Sequence, residues 1–180
     1  MKKFSFLFVS TMVLILVLSM LITVSAETEW ETFSEEDKIT GEISWHAASP
    51  YVETEDLDIP FSDDKAKITI SSDGEYEWVT LGFTSSPILT DSESRSGNRL
   101  FKVRSRWGED YITNVKLIEE NRDDDYLFFW DNSRIISYMK EYESLLLELN
   151  WYGQGEVYFE FPLEGAKEAL NEIRNKVKVK

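Results

Sequence analysis

The residues of this chain that can do chemistry are few in kind. It has one histidine, His46, and no cysteine. His46 follows Trp45 at the end of an alternating run, and a histidine acting as general base needs a serine and an acid beside it. Serines are plentiful, but no Gly-x-Ser-x-Gly elbow is present, so His46 reads more simply as a strand-end or surface residue. The acid clusters Asp63-Asp64 and Asp123-Asp124-Asp125, the latter after Glu119-Glu120, are the only metal candidates. Calcium needs several oxygen ligands converging on one point. The clusters lack Asp-x-Asp-x-Asp-Gly spacing, and contiguous aspartates point in different directions. No cofactor is therefore expected, with Asp123, Asp124 and Asp125 the positions to watch for calcium. A third feature is cationic: Lys102, Arg104 and Arg106 share one pleat parity, with Arg95 and Arg99 just before them. Such a stripe suits the docking of an acidic partner, or of the chain's own acidic segment. Its plainer reading is a solvent face neutralised by acids on neighbouring strands. The fourth feature is aromatic. Trp107, Trp151 and Tyr152 adjoin turns, where flat rings can stack sugars, yet Trp107 and Trp151 also share faces with Val103 and Leu149, which reads as core. Carboxylate pairs for glycoside hydrolysis can be drawn in many ways among 34 acids, and nothing selects one. No catalytic residue is assigned, and the protein is expected not to be an enzyme.

Composition narrows the classes further. Without cysteine there is no disulfide scaffold, thiol catalysis or zinc–thiolate site. With 34 acids against 19 Lys and Arg, the net charge of −15 argues against nucleic acid as partner, because duplex binding is driven by neutralising phosphates. Met1-Lys2-Lys3, the apolar run Phe4 to Val24 and the small-residue step Val24-Ser25-Ala26 together read as a secretory signal peptide, residues 1–26. The rival is an uncleaved anchor, since about 20 apolar residues can span a bilayer, and a membrane enters only in that case. Both readings put the rest outside the cytoplasm, secreted or extracytoplasmic. Cleavage removes Lys2 and Lys3 and no acid, so 17 bases face 34 acids and the charge becomes −17. That charge is uneven: residues 27–64 carry 13 acids and one base, whereas residues 65–118 carry 7 acids and 8 bases. Self-repulsion predicts a flexible acidic arm over 27–38, pinned to the body by Trp30 and Phe33, and a single domain over 39–180.

The elements that must position these residues are mostly strands. Apolar residues at period two mark them, because successive side chains point to opposite faces. Ile39, Gly41, Ile43 and Trp45 form one such run, and Ile68 and Ile70 sit in another. Val79, Leu81 and Phe83 alternate with Trp78, Thr80 and Gly82; Phe101, Val103, Ser105 and Trp107 alternate with the cationic stripe. Residues 111–118 and 126–130 are rich in β-branched and aromatic residues, and Leu145, Leu147, Leu149 and Trp151 precede Val157, Phe159 and Phe161. Turns at Ser72-Asp73-Gly74, Gly108-Glu109-Asp110, 121–125 and Gly153-Gln154-Gly155 separate them. The count is about eight strands, which predicts a mainly β, antiparallel sandwich, expected to be a monomer. A short helix is predicted from Ser133 to about Glu141, capped from residues 131–133. A C-terminal helix follows from Ala166, Ala169, Leu170, Ile173 and Val177. The expected core is Val79, Leu81, Phe83, Phe101, Val103, Leu147, Leu149, Val157, Phe159, Phe161, Leu170 and Ile173.

The run Leu145-Leu146-Leu147-Glu148-Leu149-Asn150-Trp151-Tyr152-Gly153-Gln154-Gly155-Glu156-Val157-Tyr158-Phe159-Glu160-Phe161-Pro162-Leu163-Glu164-Gly165-Ala166, followed by Ala169-Leu170 and Arg174, has a recognisable layout of strand, Tyr-Gly-x-Gly turn, strand and Ala-Leu helix. Over residues 100–177 the chain resembles the VasI-like exported proteins found near type VI secretion genes and their phage-borne relatives. Such relatives often carry a late cysteine, which this chain lacks. The resemblance implies a small β-sandwich accessory domain and assigns no catalytic residue. Together these readings favour an exported, non-catalytic accessory protein with a protein partner met through Lys102, Arg104 and Arg106. A carbohydrate- or cell-wall-binding module is the alternative, and a secreted hydrolase the next. An anionic wall polymer would be repelled by a −17 protein unless calcium bridged it or the cationic stripe faced it.

Overall fold

The structure, a computed structural model, describes residues 29–54, 56–120 and 125–177. The signal peptide expected over 1–26 lies outside these residues. Among them, no helix is long and apolar enough to cross a membrane.

The period-two pattern produces strands as it should, eleven among the described residues rather than about eight. They are β1 (Glu31–Glu36), β2 (Ile43–Ala48), β3 (Val52–Glu53), β4 (Lys65–Ser72), β5 (Glu77–Phe83), β6 (Ser92–Arg95), β7 (Asn98–Trp107), β8 (Tyr111–Glu119), β9 (Tyr126–Phe129), β10 (Ser144–Trp151) and β11 (Gly155–Pro162). Every pairing among them is antiparallel. They join in one sheet in the order β1-β2-β4-β5-β9-β8-β7-β10-β11, with β3 beside β4 and β6 beside β7. The extra strands are short or charged, and periodicity is weakest there: β3 has two residues and β6 four.

The sheet folds over on itself, so that β11 comes against β3 and β4. Backbone and side chain tie the two layers together across this closure. Tyr158 N donates to Asp56 Oδ2 at 2.9 Å, and Asp58 N donates to Gln154 Oε1 at 3.2 Å. Between the layers lies one apolar core. All twelve residues expected there are buried, and Trp107 and Trp151 join them at 0 % and 1 % exposure. Phe83 meets Trp151 and Phe159 edge-on, with ring centroids 5.8 and 6.0 Å apart.

Of the segment 27–38, expected as a flexible arm, Glu31–Glu36 form β1. Trp30 is buried and its Nε1 donates to Pro162 O at 3.3 Å, so the proposed pin is real. The charge run does not prevent pairing, because β1 is an edge strand whose acids point into solvent. The strand expected from Ile39 starts later, at Ile43, and Ile39 is 96 % exposed. The cause is Asp37, whose Oδ1 accepts from Ile39 N at 2.7 Å and Thr40 N at 3.0 Å. With Gly41 at φ +72° this makes residues 37–41 the turn of the β1–β2 hairpin.

Helix α1 (Asn132–Met139) is capped by Asp131, whose side chain accepts from Arg134 N. Asn132 Oδ1 accepts from Val79 N at 2.8 Å, completing the β5 ladder just beyond the end of β9. Helix α2 (Ala166–Val177) buries Ala166, Ala169, Leu170 and Ile173 against β1, β2 and β4. Arg174 clamps Glu77 through two hydrogen bonds of 2.6 Å, and Lys176 Nζ lies 4.9 Å over the Trp45 ring. Gly74 in the β4–β5 turn is required: its φ is +98°, and a Cβ there would stand 2.8 Å from Val177 Cγ1.

Candidate binding groove

The core takes one face of each strand, so the other face of β1, β2, β4, β5 and β9 must meet solvent. That face carries more than polar residues. Register places Phe33, His46, Ser71 and Trp78 in one row across β1, β2, β4 and β5. Thr69, Thr80 and Phe128 form the next row, and Lys67, Gly82 and Tyr126 the third. The middle of the face is therefore small (Ser71, Thr69, Thr80, Gly82), and the flanks are aromatic. The result is an open groove of about 490 Å³. Phe33 and Tyr51 stand on one flank, both exposed; Trp78, Phe128 and Tyr126 stand on the other. Lys67 Nζ sits 4.8 Å over the Tyr51 ring, and Tyr126 meets Phe128 edge-on at 5.3 Å. Gly82 keeps the floor low; a Cβ there would meet nothing closer than Lys67 Cγ at 3.9 Å.

His46 lies within this groove, mid-face rather than at a strand end, and only 9 % exposed. Phe33 stacks on it with centroids 4.9 Å apart. Its Nδ1 shares a hydrogen bond of 2.8 Å with Ser71 Oγ. Its Nε2 is buried without a hydrogen-bond partner, 4.0 Å from Glu35 Oε2. A serine, a histidine and an acid thus come together in the groove. Ser71 is 3 % exposed near the end of β4, where it pairs with His46 on β2 and Trp78 on β5. Burial holds the His46 pKa below its ordinary value, against the opposing pull of Glu35. His46 is the only histidine. Below about pH 6.5 the unfolded chain takes up this proton more readily than the folded one. Stability should therefore fall as pH drops from 7.5 to 5.5, and His46→Gln should flatten that slope. Melting temperatures of the two proteins across this range are the check.

The cationic stripe is split by its neighbours. Arg104 lies directly opposite Glu148 on β10 and pairs with it at 2.5 Å. Arg106 pairs with Glu160 at 3.8 Å. Tyr158 donates to Glu156 at 2.9 Å and to Glu148 at 3.1 Å, and these bonds push its pKa up to about 12. The hollow between Arg104, Arg106, Glu148 and Tyr158 holds about 260 Å³ and is largely engaged in its own ion pairs. Arg99 has the opposite parity and turns inward to the buried Glu119 at 2.7 Å. Lys102 alone of the three is without an ion pair among the described residues. It lies opposite Lys116 on β8.

The remaining candidates fall as follows. Asp123 and Asp124 lie outside the described residues, and Asp125 is exposed, its carbonyl accepting from Phe83 N at 2.7 Å. Among the described residues no group of three or more acids or histidines could hold a metal ion. Trp107 and Trp151 are core, and of the three aromatic positions singled out only Tyr152 is exposed. The groove itself had a signal in the sequence: Trp78 alternates with Val79, Leu81 and Phe83, and Phe128 with Leu127 and Phe129, so both sit on the face opposite the core. Comparison with family models, curated proteins and solved structures finds no match to this chain.

Proposed function

We propose that the protein is a non-catalytic binding module, acting outside the cytoplasm, whose outer groove takes a glycan. The observation that carries this reading is the groove's construction, aromatic flanks over a floor of small polar residues. A sugar presents apolar C–H faces and a rim of hydroxyls, and the two surfaces of the groove answer these in turn. The orphaned Nε2 of His46 adds a buried polar atom waiting for a partner. The resemblance of residues 100–177 to VasI-like exported proteins supports an accessory role, and the apolar run over 4–24 supports export. A protein partner would meet Lys102, Arg104 and Arg106, but ion pairs take up two of these three charges.

Binding to a panel of soluble polysaccharides by calorimetry tests the proposal. Trp78→Ala should weaken binding about tenfold, the scale of one lost stacking contact. Gly82→Val fills the floor with a residue that suits a strand, so binding should disappear while the melting temperature holds or rises. Full retention of binding in both variants would place the ligand elsewhere. Labelling of Ser71 by a fluorophosphonate is expected to fail, and success would restore the hydrolase reading.

A further inference from the structure

The groove does not stop at β9. Tyr126 and Phe128 share their outward parity with Trp130, which is 47 % exposed. Trp130 N donates to Lys116 O at 2.9 Å, so this aromatic ridge leads straight to β8. Beyond the ridge is a second hollow of about 340 Å³, lined by Lys102, Asn114, Lys116, Trp130, Asp131 and Arg134. Three cations meet one acid there, in a protein with 34 acids and 19 bases. Asp131 is already engaged, capping α1 and pairing with Arg134 at 3.4 Å. Lys102 and Lys116 face each other directly across β7 and β8. Like charges in that position are unfavourable, and an anion seated between them relieves the repulsion. β9 alone separates β5 from β8, so at about 4.8 Å per strand the groove floor lies roughly 10 Å from Lys116's strand. An oligosaccharide bending over the ridge of Tyr126, Phe128 and Trp130 would reach from one to the other.

We infer that the glycan is anionic: its sugar rings lie in the groove and a carboxylate or phosphate group seats between Lys102, Lys116 and Arg134. This rests on the groove being a glycan site. It also answers the difficulty that a strongly acidic protein poses for an anionic polymer, because the contact is made through a hollow lined by three cations and one acid.

The test uses three probes: a neutral glucan, a polyuronate and a poly(glycerol phosphate) carrying sugars. Wild-type protein should bind a charged probe about tenfold more tightly than the glucan, and the preference between the two charged probes identifies the anion. The preference should shrink as salt rises from 50 to 500 mM (roughly a threefold shorter screening length). Lys102→Glu with Lys116→Glu should remove it, leaving any glucan binding intact. Lys102→Gln with Lys116→Gln, which ends the repulsion and so cannot unfold the protein by that route, should do the same more mildly. Unchanged binding of the charged probes in both double variants overturns the inference. If Gly82→Val meanwhile still abolishes binding, the groove reading stands without it. Binding of the wild type to none of the three probes overturns both.

Discussion

Phe159→Ala is expected to lower the stability of the protein by about 3–5 kcal/mol. Phe159 is fully buried on β11, where its ring meets Phe83 at 6.0 Å, Trp151 at 6.4 Å and Phe161 at 6.4 Å. Those neighbours belong to both layers of the folded sheet. A cavity there cannot close by moving one strand, because β11 is held by β10 on one side and faces β3 and β4 on the other. Domains of this size are stable by about 5–15 kcal/mol in total, so the variant should be marginal. Urea unfolding with an unchanged m-value is the measurement. A loss below about 1 kcal/mol would mean that β11 presents its other face to the core.

The second large effect is electrostatic. Arg99→Met should cost about 3–5 kcal/mol, because it leaves the buried Glu119 carboxylate without its half-buried counterion. Glu119 is 2 % exposed, and Arg99 Nη1 donates to its Oε2 at 2.7 Å. The same guanidinium donates to Leu89 O at 2.7 Å and Ser92 Oγ at 3.1 Å, which ties the chain before β7 to the end of the sheet. Replacing both partners, Arg99→Met with Glu119→Leu, should recover most of the loss, since no charge is then left without its counterion. A double variant no more stable than the single one would show that the bonds to Leu89 and Ser92, not the carboxylate, carry the cost.

The two cases differ in how far the sequence could announce them. Phe159 is legible from alternation alone: Val157, Phe159 and Phe161 share a face, and such a face is core in an antiparallel sheet. Arg99 is not. Read locally it belongs with Lys102, Arg104 and Arg106, and only its odd position in β7 separates it from them. Its partner Glu119 lies on β8 and the partner of Arg104 lies on β10, forty-four residues along the chain. Long-range pairing decides which charges are spent, and no local period encodes it. The groove was hidden for the same reason. Parity puts Trp78 and Phe128 on the face opposite the core, but which strands lie side by side there is set by long-range pairing, so the groove could not be assembled from the sequence. The acidic stretch 31–36 was hidden because repulsion between neighbouring acids says nothing of an edge strand, where all of them can face water.

One part of the sheet has a consequence for motion. Among the described residues β9 joins the two layers along the sheet, and it pairs with β8 through two residues, Leu117 with Phe129 and Ile118 with Phe128, extended by the bond from Trp130 N to Lys116 O. A seam that short opens at lower free energy than the long ladders on either side, so its amides should exchange with solvent before those of β4 or β7. The aromatic ridge of Tyr126, Phe128 and Trp130 stands on this same strand. An occupant lying across the ridge would grip both sides of the seam at once, and its arrival should be read most clearly as slowed hydrogen exchange along β9.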